Sequence, residues 1–120
     1  MDQKMIDLEQ IDGLLNAAGV DVARAVLSSF WSSTDDLVAA ARTALEMDDF
    51  EGLDRAGHAI KGAAANVGAQ GIFEAARDLE AAARASDKES AAASLTAVET
   101  AVEPAKDAFE RHFEEFRAAS

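Results

Sequence analysis

The stretch DFEGLDRAGHAIKGAAANV (49–67), GAQ (68–70), GIFEAARDLEAAARA (71–85) decides the fold. In its first part Phe50, Leu53, Gly57, Ile60, Ala64 and Val67 recur at spacings of three and four, which gathers them on one face of a helix. The pattern Asp48-x-x-Glu51 resembles a capping box and sets the helix start. In the last part Ile72, Ala76, Leu79 and Ala83 repeat the pattern and mark a second helix to about residue 85. Gly68 and Gly71 bracket a turn too short for anything but an antiparallel pair. Alanines at 63, 64, 76 and 83 let the two helices approach closely.

Working outward, residues 5–17 carry Ile6, Ile11, Leu14 and Leu15, the pattern of a short first helix stopped by Gly19. Asp21 is the expected N-cap of the second helix. Residues 22–47 place Val22, Val26, Phe30, Leu37, Val38, Ala41 and Leu45 at helical spacing. Ser32-Ser33-Thr34 competes for backbone hydrogen bonds in the middle, which leaves one helix or two open. Ser86-Asp87-Lys88-Glu89 matches a capping box for a last helix bearing Leu95, Val98, Val102, Phe109, Phe113 and Phe116. Pro104, the single proline, is expected to kink or divide that helix. Strand-forming runs are missing, while alanine, leucine, glutamate and arginine favour helix. The expectation is an all-α chain: an antiparallel up-and-down four-helix bundle with an additional short N-terminal helix, one domain over residues 1–120.

Composition narrows the chemistry. Cysteine is absent, which removes disulfides, thiolate catalysis and cysteine-ligated zinc and fits a cytoplasmic location. No stretch approaches the roughly 20 apolar residues of a membrane span, and residues 1–4 lead into an acidic segment, not a signal core. Net charge is −12, from 23 acidic against 11 basic residues. Such a chain repels nucleic acid and anionic lipid, so neither is an expected partner. Met1 and the lack of a linker suggest a free-standing protein.

With cysteine absent and only two histidines present, the run from His58 holds nearly all the nucleophilic chemistry available. His58 falls about 130° from the centre of its helix's apolar stripe, on the solvent side, and Gly62 lies almost opposite the stripe. Lys61, three residues on, is adjacent on the helix surface and can neutralise a phosphoryl group. Gly62 costs about 1 kcal/mol of helix stability relative to alanine, and close approach by another protein is the natural reason for it. The surrounding surface of Ala59, Ala63, Ala65 and Ala69 is small-featured, so a bulky partner fits over it. Leu14 or Leu15 of the first helix extends that expected partner face.

Folding the hairpin about residue 69 pairs positions whose numbers sum to about 138 to 140, which sets Glu80 at the height of His58. A carboxylate there can accept from the imidazole Nδ1 and leave Nε2 as the outward nucleophile. His112, with no lysine and glycine after it, reads as a solvated surface residue. The Phe109, Phe113 and Phe116 stripe reads as core. Asp54 and His58 share i, i+4 spacing, but no second pair completes a metal site and the Glu-x-x-His spacing of diiron bundles is missing. Gly68 reads as a helix terminator.

The segment His58-x-x-Lys61-Gly62, with Gly68 ten residues after the histidine and Glu80 twenty-two after it, resembles histidine-containing phosphotransfer (HPt) domains. Chemotaxis-kinase members carry glutamate at the place of Glu80, and several other phosphorelay modules carry glutamine. The likeness extends through the Ile11-Asp12 start, the Phe30 helix and the closing helix. It implies a bundle whose exposed His58 takes a phosphoryl group from a receiver aspartate or a kinase and passes it to another receiver. By that likeness the partners are response-regulator receiver domains and a hybrid histidine kinase. Mg²⁺ sits on the receiver and no cofactor is intrinsic. His58 is the phosphorylated residue, Lys61 its electrostatic support and Gly62 the clearance, in a monomeric carrier without nucleotide-dependent kinase activity. The rival reading is a helical adaptor that binds partners without chemistry. An enzyme finds no support, since phosphate loop, metal cluster and triad set are all missing.

Overall fold

A computed structural model describes residues 5–119 as five helices: α1 (Glu9–Ala18), α2 (Val20–Glu46), α3 (Phe50–Val67), α4 (Gln70–Arg84) and α5 (Lys88–Ala119). Helices α2 to α5 form the antiparallel bundle and α1 packs on α2 and α3, the all-α architecture expected. No strand occurs among the described residues. None of their helices is long and apolar enough to cross a membrane.

The open question over residues 22–47 resolves to one unbroken helix of 27 residues. Ser32 and Ser33 lie exposed, where water competes for their hydroxyls, and Thr34 is buried. Helix α5 likewise runs continuously through Pro104. Pro104 and Thr100, whose carbonyl loses its amide donor to the proline, are both exposed, so solvent can satisfy that carbonyl. The proline therefore does not divide the helix.

The caps differ from expectation by one or two residues. Asp49, not Asp48, caps α3, its Oδ1 accepting from the Gly52 amide at 2.9 Å. Asp87, not Ser86, starts α5, accepting from the Ser90 amide at 3.1 Å and the Ser90 hydroxyl at 2.7 Å. In both cases the residue before the cap holds a positive φ, Asp48 at 55° and Ser86 at 54°, which turns the chain and leaves the next aspartate in capping position. Asp21 lies inside the first turn of α2, and Gly19 occupies its N-cap. Helix α1 starts at Glu9 instead of residue 5 because the preceding segment is engaged elsewhere. The Asp7 amide donates to the Gly68 carbonyl at 2.7 Å, and the Met5 carbonyl accepts from the Gly71 amide at 2.9 Å. That docking also explains Gly68, at φ 81°: a Cβ there would stand 1.9 Å from the Asp7 carbonyl oxygen. Gly68 is a left-handed helix stop that doubles as the seat of the incoming chain.

The core divides into two clusters along the bundle. One, rich in large side chains, holds Ile11, Leu15, Leu27, Phe30, Ile60, Ile72, Phe109 and Phe113. Each such side chain contributes about 1.5–3 kcal/mol by leaving water. The other is built largely of alanine around Leu45, Leu53, Leu79 and Leu95. On α3 the change falls between Ala56 and Ile60, and on α4 between Ala76 and Leu79. His112 is not a solvated surface residue. Its Nε2 lies 2.6 Å from Asp12 Oδ1, its side chain is only 21% exposed, and the pair ties α5 to α1.

Candidate functional site

The α3–α4 hairpin positions the site. Gly57 faces α4, where a Cβ would lie 3.2 Å from the backbone nitrogen of Glu80 and 3.5 Å from the Ala76 carbonyl. The missing side chain lets the two backbones close up at this level. One residue further on, His58 projects outward with its side chain 70% exposed, while Glu80 across the seam is 3% exposed.

The Glu80 carboxylate gathers three partners. His58 Nδ1 is 2.8 Å from Oε2, Lys61 Nζ is 2.6 Å from Oε1, and Arg84 Nη2 is 3.1 Å from Oε2. The hydrogen bond from Lys61 is the main cause that holds the carboxyl below the usual carboxylate range. It outweighs burial, which pushes the other way, and His58 and Arg84 add to the lowering. An ionised carboxylate only accepts, so Nδ1–H of His58 is the donor. In the neutral ring that tautomer leaves the Nε2 lone pair free, on the edge of the ring away from Glu80. Such an arrangement can present an oriented nitrogen nucleophile to an electrophile brought by another molecule.

The structure thus brings His58, Lys61 and Glu80 into one constellation. The ammonium of Lys61 is engaged by Glu80 and half-buried at 26% exposure, so in this state it supports the carboxylate. Gly62 is exposed, and a Cβ built on it would meet nothing within 4 Å. Nothing among the described residues requires a glycine there. Ala59 and Ala65 are exposed beside it and Ala63 is half-buried. Ala69 is fully buried and drops out of this surface, being covered where the chain turns into α4. Leu15 drops out too: at 2% exposure it belongs to the core, and half-buried Leu14 is the α1 residue that remains for a partner face. Among the described residues no group of three or more acidic or histidine side chains gathers as a metal site would require.

Two contributors are not apparent from the sequence pattern. Arg84 is signalled there only by its i+4 spacing from Glu80, and it also lies 3.3 Å from the carboxylate of Asp54 on α3. Gly57 reads as one more apolar position; its signal is a glycine inside a helix on the buried face.

Residues 25–117 match the family model described as Hpt domain. The fold is similar to that of histidine-containing phosphotransfer protein B from Pseudomonas aeruginosa, with a TM-score of 0.82 and 20% identity, covering 95% of this chain and 98% of that one. It is similar as well to a histidine-containing phosphotransfer protein from maize, with a TM-score of 0.81 and 18% identity, covering 97% of this chain and 88% of that one. At these identities the likeness is one of fold. No curated protein matches the chain in sequence. The match to the family model, on a bundle of this architecture, shows that the chain belongs to the Hpt domain family, whose members are phosphocarriers rather than kinases, and that its function is histidine phosphotransfer in a phosphorelay.

Proposed function

We propose that His58 is the phosphoryl-carrying residue and that residues 1–120 act as one monomeric, cytoplasmic carrier module with no kinase activity of its own. The observation that carries this reading is the His58–Glu80 contact: a buried carboxylate holds Nδ1–H at 2.8 Å beneath an otherwise exposed imidazole. The Nε2 lone pair attacks the phosphorus of an aspartyl phosphate on a receiver domain. As the N–P bond forms, the bond from phosphorus to the aspartate oxygen breaks, and that oxygen leaves with its electron pair as carboxylate. Delivery to a second receiver, or a hybrid kinase as the first donor, uses the same steps in the corresponding direction. Mg²⁺ belongs to the receiver partner. The bundle supplies positioning, and Lys61 supplies positive charge beside the reacting ring. Exposed Gly62, Ala59 and Ala65, with Leu14 of α1, form the surface over which the receiver seats.

Incubation with a phosphorylated receiver tests the assignment. Acid-labile, alkali-stable label is expected on the wild-type chain and not on His58→Gln. Label at the normal level on the variant overturns the site. A wild-type chain that binds receivers but takes no label is an adaptor instead.

A further inference from the structure

The geometry points to Arg84 as a positioning residue that acts on His58 through Glu80, limiting the negative charge that Glu80 presents to the imidazole. This inference rests on His58 being the phosphoryl acceptor.

Glu80 Oε2 is shared, taking Nδ1–H of His58 at 2.8 Å and Nη2 of Arg84 at 3.1 Å. Lys61 occupies the other oxygen, so a buried carboxylate meets an ammonium, a guanidinium and one imidazole. Arg84 reaches Glu80 from one turn further along α4 and is itself 64% exposed. Its Nε lies 3.3 Å from Asp54, which stands one turn before His58 on α3, so the guanidinium bridges the two helices beside the ring. Helical spacing puts Asp54, Arg55 and Lys61 within one turn of His58 on α3, and Arg77 and Arg84 within one turn of Glu80 on α4. Helix α2 packs along the other flank of α3, where Asp49, Gly52, Arg55 and Ala56 line a groove with Ala40 and Ala44.

The chemistry needs a compromise at Nδ1. A fully charged, unshared carboxylate would favour the imidazolium, which has no lone pair on Nε2 to attack with. A neutral neighbour would not fix the tautomer. Arg84 shares the oxygen that holds the proton, so its charge is felt where the ring is polarised. Removing it leaves the single charge of the Glu80 carboxylate less compensated at the oxygen that meets the ring and also removes a like charge near the ring, and both changes favour the protonated ring.

The test is a pH titration of the His58 ring by ¹⁵N NMR, with the pH profile of labelling by phosphoramidate, in the intact chain. In Arg84→Gln the His58 midpoint is expected to move up by about half a pH unit, the size of one nearby, solvent-screened charge. The labelling profile should move with it. Arg84→Lys should restore most of the wild-type midpoint. In a Glu80→Gln background the effect of Arg84→Gln should shrink by at least half. An unchanged midpoint in folded Arg84→Gln overturns the proposal. So does a shift of full size in the Glu80→Gln background, which would make Arg84 a bystander charge. Failure of wild-type labelling strikes at the carrier reading instead, and the titration still reports on the Arg84 coupling.

Discussion

Gly57 and Glu80 meet backbone to backbone, since a Cβ at position 57 would stand 3.2 Å from the Glu80 nitrogen and 3.4 Å from its Cα. The histidine next to that glycine reaches the Glu80 carboxylate because no side chain holds the helices apart. Gly57→Ala gains about 1 kcal/mol of helix propensity but must push α4 away by a few tenths of an ångström, at an overpacking cost of about 1–3 kcal/mol. The push falls on backbone, which yields less readily than a side chain, so the cost is expected to win. Chemical unfolding should show a net loss, and phosphotransfer should slow as the His58–Glu80 contact lengthens.

Gly62→Ala should do the opposite to stability. With open space around that position, the variant is expected to gain about 0.5–1 kcal/mol in the same unfolding measurement. Receiver binding should weaken, read by calorimetry or surface binding, because the added methyl group stands on the face proposed for docking. A stabilised variant with unchanged affinity would place the interface elsewhere.

Lys61→Ala is expected to slow phosphotransfer about tenfold, the equivalent of one charge-assisted hydrogen bond at about 1.4 kcal/mol. The side chain is half-buried at the edge of the bundle, so the helical content measured by circular dichroism should stay intact. A transfer rate equal to wild type would remove Lys61 from the site.

Glu80 makes stability depend on pH. Its folded carboxyl lies below the ordinary 4.5, so as pH falls the unfolded chain takes up that proton first. The stabilisation is therefore complete above about pH 4.5 and is lost as pH falls from there through the folded value. Urea unfolding of wild type and Glu80→Gln should show a gap at pH 7 that narrows in this acid range. A gap independent of pH would show that the ion pairs of Glu80 contribute nothing to folding.

Gly68→Ala should cost at least the roughly 1–2 kcal/mol of a left-handed backbone in a residue with a side chain, and more because Asp7 must move away. Hydrogen exchange should show faster exchange at the Asp7 and Gly71 amides. Labelling of His58 should persist, since the lesion lies at the hairpin turn.

Much of the fold is legible in the sequence because helices of this length repeat their apolar positions several times, and each repeat corrects errors in the others. Phe50 to Val67 and Ile72 to Ala83 define the hairpin, and the hairpin sets the height of Glu80 by arithmetic. Events decided by single residues are harder to read. Asp48 and Asp49 can both cap a helix, as can Ser86 and Asp87, and the backbone of the preceding residue makes the choice. Leu14 and Leu15 are neighbours of one chemistry, and only the rotation of α1 buries the second. The start of α1 depends on backbone hydrogen bonds to Gly68 and Gly71, which no side-chain pattern encodes. Arg84 reads as an ordinary exposed arginine until Glu80 is known to be buried beside it.

The exposure of the imidazole has one more consequence. A phosphoryl group on Nε2 would stand on the exposed side of the ring, with Gly62 and small alanines beside it. Between encounters its survival is then set by the spontaneous hydrolysis of a phosphoramidate bond. The memory of the signal is thus kept by how often receivers arrive, and a scarcity of acceptors would show as decay, not storage.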